Sequence, residues 1–350
     1  MKILYAVQGT GNGHLSRAKA FVPAFEKFVR VDLLVSGMHS EIDPGHRIRY
    51  RFNGLGFKFG KQGGIDLFST WYHGDILRFF READSLDMSE YDMVVNDFEP
   101  VSARAAKRAG VPCIGLSNQC VLLDSKIPKP EDVQPGHVTK AVFKHYAPVD
   151  VAYGFHYTDL NRFITTPPVR EEVRKLKPEE GSHYLVYLPF YSDEKIVKAL
   201  NAFPRHRWVV FSKHGGKRRF CGNVELIPVN DGTFLDCLAT CKGVFCSAGF
   251  GITTEALFLG KKLLVMPMKK QFEQACNAYS LAAFGVNSVK SLKPEYRGEI
   301  AQWLQSRHTV QVHYPDRTEC IAERILTDFA EQNAFFHAAS DVDNKSVKTV

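Results

Sequence analysis

The chain has 350 residues, 45% apolar and 24% charged, and carries a net charge of +7. That length suits two domains of roughly 150–200 residues rather than one core, and no apolar run reaches the ~18 residues a membrane span needs. The eight cysteines are scattered without a C-x-x-C pair, which disfavours zinc and disulfides and fits buried thiols in a reducing cytoplasm. Long Lys/Arg blocks are lacking, so nucleic acid is disfavoured as a partner.

In chain order, Ile3–Val7 reads as a first strand and not as a signal peptide, because Gln8 to His14 interrupt the apolar run with glycines and polar residues. A helix follows from about Leu15, with Leu15, Ala18, Val22 and Phe25 on one face. Pro23 inside it predicts a kink or an early stop. Val31–Val35 is the next strand, Asn53–Gly64 a long loop, Asp92–Val95 a strand, Ser102–Arg108 a helix and Cys113–Leu116 a strand. Paired prolines at Thr165-Thr166-Pro167-Pro168 mark a boundary. The alternation then restarts with strands at Tyr184–Leu188, Trp208–Phe211, Val244–Cys246 and Leu263–Met266, and a helix opened by capping chemistry at Ser192. Ile321, Ile325 and Phe329 form one stripe of an amphipathic helix over Arg317–Phe329, and the tail from Ala338 is polar. Strands alternating with helices imply two parallel, doubly wound sheets. The expected domains are 1–164, 165–316, a C-terminal helix 317–337 and a disordered tail 338–350.

Two segments carry chemistry. Gly9-Thr10-Gly11-Asn12-Gly13-His14 joins the first strand to a helix, where glycines let backbone N–H groups approach an anion. The spacing is not G-x-G-x-x-G, and the second strand ends in Ser36-Gly37 with no acidic residue for a ribose, so a nicotinamide cofactor is disfavoured. Asp97 and Glu99 end another strand at the same sheet edge. Asp97 could fix one ring nitrogen of His14 and leave the other as a general base, or either carboxylate could simply cap the next helix.

The second segment, Phe245-Cys246-Ser247-Ala248-Gly249-Phe250-Gly251-Ile252-Thr253-Thr254-Glu255, reads as strand, glycine turn and a helix beginning near Thr253. That is a diphosphate site in outline, with Glu255 in the first helical turn able to reach a ribose or merely to favour the helix dipole. Glu273-Gln274 after the next strand suits bidentate recognition of sugar hydroxyls, or is an ordinary polar helix start.

With both segments in view, the chain resembles the GT-B glycosyltransferases, in particular the lipid II-forming N-acetylglucosaminyltransferase and the UDP-glucuronosyltransferase and natural-product groups. The resemblance implies two Rossmann-like domains facing across a cleft, with the C-terminal helix packing back on the N-terminal domain. It implies His14 as catalytic base with Asp97 in support, and Gly11, Asn12 and Gly13 in the phosphate or acceptor loop. By the same resemblance Gly249, Phe250, Gly251 and Thr253 bind the diphosphate, Glu255 the ribose, Glu273 and Gln274 the donor sugar, and Phe234 lies near the base. Two departures stand out. Ser247 replaces the histidine that one subgroup uses at the diphosphate, and Leu188-Pro189-Phe190-Tyr191-Ser192 replaces a Gly-Gly-Ser-type loop.

The expected activity is transfer of a hexose-type sugar from a UDP-sugar to a carbohydrate, lipid-linked or small-molecule hydroxyl, with inversion, no metal and no resident cofactor. The only D-x-D string, Asp341-Val342-Asp343, lies in the polar tail, where a catalytic metal site is not expected. A nucleotide-sugar hydrolase or 2-epimerase, and a non-catalytic nucleotide-sugar-binding protein, are the alternatives. The expected location is cytoplasmic, with Trp71-Tyr72 and Phe79-Phe80 beside Arg78 and Arg81 serving either as core or as a contact with the inner membrane face.

Overall fold

The computed structural model describes residues 1–9, 12–37, 45–55, 76–131, 135–229 and 231–331. Gly11, the side chain of Asn12, most of the Gly54–Gly64 loop, Trp71-Tyr72 and the tail with Asp341-Val342-Asp343 lie outside the described residues.

Apolar β-branched runs buried on both faces build the centre of each sheet. The first sheet contains β1 (Lys2–Gln8), β2 (Arg30–Ser36), β3 (Ile48–Phe52), β4 (Met93–Asp97), β5 (Cys113–Leu116), β6 (Val151–Phe155) and β7 (Ile164–Thr165). Their order is β3-β2-β1-β4-β5-β6-β7, and every pairing is parallel. The second contains β8 (His183–Tyr187), β9 (Arg207–Ser212), β10 (Arg219–Cys221), β11 (Val224–Pro228), β12 (Gly243–Cys246), β13 (Lys262–Val265) and β14 (Asn287–Ser288). It runs β10-β11-β9-β8-β12-β13-β14, parallel except for the β10–β11 hairpin.

Each order reverses once, between β1 and β4 and between β8 and β12. Open α/β sheets bind ligands in the crevice beyond the carboxyl ends of the strands at such a switch point. His14 and Asp97 lie at the first, and the Ser247–Gly251 turn lies at the second.

The first helix runs Asn12–Glu26 and continues past Pro23, so the early stop, one of the two outcomes expected there, does not occur. Pro23 is exposed, so water can serve the carbonyl that its ring leaves unpartnered. Ser192 holds the cap position of the helix Asp193–Leu200, but its side chain makes no capping bond, contrary to expectation.

The C-terminal helix spans 318–331. Ile321, Ala322, Ile325 and Phe329 are buried in the main apolar cluster, which residues of both sheets share, and the helix's polar bonds to residues 153–162 tie it to the first sheet's side. Arg317 pairs with Asp159 at 2.8 Å, Arg324 donates to the Arg162 carbonyl at 2.8 Å, and Asp328 accepts from Tyr153 and Arg162. Among the described residues no helix is long and apolar enough to cross a membrane.

Candidate active site

At the first switch point, β1 ends at Gln8 and Gly9 turns the chain. A Cβ on Gly9 would lie 3.0 Å from the Ser36 and Gly37 carbonyl oxygens, so only glycine permits that approach. The helix Asn12–Glu26 then places His14 and Arg17 three residues apart, on one face. His14 Nδ1 is 2.7 Å from Asp97 Oδ1. Arg17 grips the same carboxylate with both arms, Nε to Oδ2 at 2.6 Å and Nη2 to Oδ1 at 2.8 Å. Asp97, the last residue of β4, is fully buried.

Arg17 Nη2 also lies 3.2 Å from His14 Nδ1, and the two contacts demand opposite tautomers. A guanidinium only donates and a carboxylate only accepts. The shorter, charge-assisted contact with Asp97 decides it: Nδ1 carries the proton. Among the described residues Nε2 then has no hydrogen-bond partner, and its lone pair is available as a base. Burial alone would raise the Asp97 pKa, but the Arg17 and His14 charges and hydrogen bonds hold it below the ordinary carboxylate value.

The neighbouring carboxylate behaves otherwise. Phe98 has φ 55°, a left-handed conformation costly for a bulky residue, and it turns Glu99 away from Asp97. Glu99 caps the helix Pro100–Ala109, accepting from Val101 N at 2.8 Å and Ser102 N at 2.6 Å, and from Ser36 Oγ at 2.5 Å. Burial outweighs these bonds and raises its pKa. Of the two carboxylates, Glu99 is the cap and Asp97 holds the histidine.

At the second switch point β12 leads through Ser247 and Ala248 to Gly249, and the helix is Phe250–Phe258. It starts three residues before Thr253, so Glu255 stands in the second turn, which corrects the first-turn expectation. The glycine pair read as loop, yet the first-turn amides of any helix lack intrahelical acceptors, so a glycine there breaks nothing. Gly249 offers no side-chain cap, and a Cβ on Gly251 would meet nothing within 4 Å. The turn is open to an anion. Asn277 Nδ2 steadies it by donating to the Ala248 carbonyl at 2.9 Å.

The remaining donor-side residues have partners of their own. Ser247 is buried, its N–H bonded to the Tyr187 carbonyl at 3.1 Å. Thr253 Oγ1 is 2.8 Å from the Gly249 carbonyl and 2.7 Å from the Tyr157 hydroxyl. Glu255 is held by both arms of Arg170, at 2.6 and 2.9 Å. Gln274 accepts from Met268 N at 2.9 Å and so serves the turn before its helix. Glu273 accepts from Asn118 Nδ2 at 2.8 Å. The Phe234 ring packs 4.9 Å from that of Phe211 and 5.9 Å from that of Tyr187.

Asn118 follows β5 and Glu273 follows β13, so their bond joins the carboxyl edges of the two sheets. Tyr157 with Thr253, and His156 Nε2 with Ser280 Oγ at 2.9 Å, join them again. The edges carrying His14 and the glycine turn therefore face one another. Arg17, Asn118 and Tyr157 escaped the sequence reading, and Arg170 entered it only as the end of the segment 166–170 that resembles the family's C-terminal domain opening, without its bond to Glu255. Arg17 stood three residues after His14, a spacing that could have revealed it; Asn118 had no signal beyond its place after a strand.

Two doubly wound sheets apposed by their carboxyl edges, with a glycine turn on one and a histidine–aspartate pair on the other, define the GT-B glycosyltransferase class. The chain belongs to glycosyl transferase family 1, whose model matches residues 72–336. Solved structures similar in fold include the glycotransferase of kitacinnamycin (TM-score 0.55, 13% identity, 98% of each chain covered). MurG of Acinetobacter baumannii is similar at TM-score 0.53 and 15% identity over 92% of this chain and 94% of its own. MnaA of S. aureus, solved with UDP, is similar at TM-score 0.58 and 12% identity over 93% and 94%. Among curated protein sequences nothing matches.

Proposed function

We propose that this glycosyltransferase moves a hexose-type sugar from a UDP-sugar to a hydroxyl acceptor with inversion, using His14 as general base and no metal. The observation that carries the reading is the His14–Asp97 bond at 2.7 Å, which orients a free imidazole nitrogen at one switch point while an open helix N-terminus lies at the other. His14 Nε2 takes the acceptor proton as the acceptor oxygen attacks the anomeric carbon and the bond to UDP breaks. Ionised Asp97 stabilises the imidazolium. The charge released on the diphosphate meets the N–H groups of Phe250, Gly251 and Ile252 and the helix dipole.

In this reading residues 1–164 hold the acceptor and 165–316 the donor. Glu255 meets the ribose diol with the lone pairs that Arg170 leaves unused, and Glu273 meets sugar hydroxyls with those that Asn118 leaves unused. The fold neighbour solved with UDP supports a uridine donor. The enzyme works in the cytoplasm, on a soluble acceptor or at the inner membrane face.

A thermal-shift series tests the donor: UDP raises Tm more than ADP or GDP, since a ligand at about 100 times its Kd adds ~2.7 kcal/mol to stability. In calorimetry Glu255→Ala weakens UDP by ~1–3 kcal/mol, whereas His14→Ala leaves UDP affinity unchanged and lowers turnover by ~10²–10⁴. Turnover persists in EDTA. A His14→Ala enzyme with wild-type turnover would remove His14 from the base role, and unchanged UDP affinity in Glu255→Ala would remove Glu255 from the ribose.

A further inference from the structure

The loop after β5 and the helix His137–His145 enclose a cavity of about 550 Å³ whose walls include Lys129, Lys140, Lys144 and His145, with Leu123 and Pro135 as apolar surface and, among the described residues, no Asp or Glu. That volume falls within the ~300–1,000 Å³ of small-molecule sites. Lys140 and Lys144 stand at i and i+4 on the helix His137–His145. Like charges at that spacing repel each other and destabilise a helix, a cost that a bound anion would reverse.

The helix ties this cavity to the cleft. The Phe143 ring lies 5.9 Å from that of Phe98 and 6.2 Å from that of Phe272. Phe98 follows Asp97 in the chain, and Phe272 precedes Glu273. Lys129 comes from the loop after β5 that also carries Asn118, and its charge is felt at Cys276 on the Glu273 helix. Every described wall residue lies between β5 and β6, so the cavity belongs to the sheet that carries His14 and not to the one that carries the Gly249 turn.

Resting on the glycosyl-transfer reading above, we infer that the acceptor carries an anionic group, a phosphate or a carboxylate, which the basic cavity of Lys129, Lys140, Lys144 and His145 holds while its hydroxyl reacts. Lysines suit this task, since each is a mobile point charge able to follow a phosphate.

The test uses the full chain saturated with UDP, so that the donor's diphosphate site is filled, titrated with inorganic pyrophosphate. Saturable binding is expected, weakened about tenfold or more in Lys140→Gln/Lys144→Gln. Both lysines are exposed, so the variant should fold, and its unchanged UDP affinity verifies that. Equal pyrophosphate affinity in wild type and variant overturns the inference. A second arm offers sugar phosphates, uronic acids and their uncharged parents as acceptors. Transfer to the phosphates or to the uronic acids, lost in the variant, supports the inference and tells the two anions apart; equally fast transfer to the uncharged parents overturns it. Failure of UDP to bind would sink the donor reading instead, while the pyrophosphate titration without UDP, compared between wild type and variant, would still be readable.

Discussion

Asp97 serves two cations at once, and this changes what its removal does. A simple histidine–aspartate dyad would lose only imidazole orientation in Asp97→Asn, a milder lesion than deleting the ring. Here the same substitution also takes the counter-charge from Arg17, whose side chain is 9% exposed. Breaking a buried pair by removing one partner costs ~3–5 kcal/mol, because the remaining charge stays desolvated. Asp97→Asn is therefore expected to lower stability by about that much in urea denaturation as well as turnover. Adding Arg17→Met removes the stranded charge and should restore much of the stability while turnover stays low. A double variant no more stable than Asp97→Asn would show that Arg17 is not the source of the loss. The dyad itself was legible, since His14 follows a glycine turn and Asp97 ends an apolar strand. Its third member was not, because an arginine on a helix reads as surface until a buried carboxylate is placed against it.

Among the elements, legibility followed burial. The runs forming β1, β5, β9, β12 and β13 have continuously apolar, buried centres, and β2 has one at Leu33-Leu34-Val35 beyond Asp32, so their limits were readable to within a residue or two. β3 lies at a sheet edge with alternating exposure; its Ile48-Arg49-Tyr50-Arg51-Phe52 alternation is a period-two strand signal, too short to stand out beside the continuous apolar runs. β11 hides Glu225 in its middle, 2% exposed, where Arg207 and Arg218 neutralise it; a pairing with residues distant along the chain leaves no local trace. Glycines separate fold from function in the same way. A Cβ on Gly154 would stand 2.3 Å from Val121 Cγ2, so Gly154→Ala should destabilise by ~1–3 kcal/mol through overpacking. Gly251 sits in the first helical turn with open space before it. Gly251→Ala should leave stability unchanged or raise it by up to ~1 kcal/mol, yet weaken UDP, because the methyl occupies the room the diphosphate needs. Denaturation and calorimetry on the pair check this. A Gly251→Ala protein with wild-type UDP affinity would place the diphosphate elsewhere.

At the scale of the molecule, apolar packing and polar contacts together hold the two sheets and the C-terminal helix, and several of the polar contacts titrate. Burial lowers the His156 pKa below 6.5, and this histidine bridges from the end of β6 to Ser280 on the Glu273 helix. Its neutral form is the one the fold accepts, so its contribution is complete above pH 6.5 and erodes as pH falls below that toward the depressed native value. The carboxylates act lower on the scale. Asp97, Asp159 and Asp328 are each pushed upward by burial but held below 3.8 by their cationic and hydrogen-bonding partners, Arg17 and His14, Arg317, and Tyr153 with Arg162 respectively. Their contribution is present above 3.8 and lost as pH falls through the lowered native values. Tm measured against pH should therefore drop in two stages, a shallow one beginning below about 6.5 and a steeper one below about 4. His156→Gln keeps a neutral hydrogen-bonding group and should flatten the first stage alone, leaving the second in place. Protonation falls on Nδ1, which accepts from Thr158 N at 3.2 Å, and leaves the Nε2–H bond to Ser280 and the other two ties in place, so UDP binding should survive the first stage. A wild-type Tm that is level between pH 7 and pH 5 would show that the buried His156 carries no pH-dependent stability.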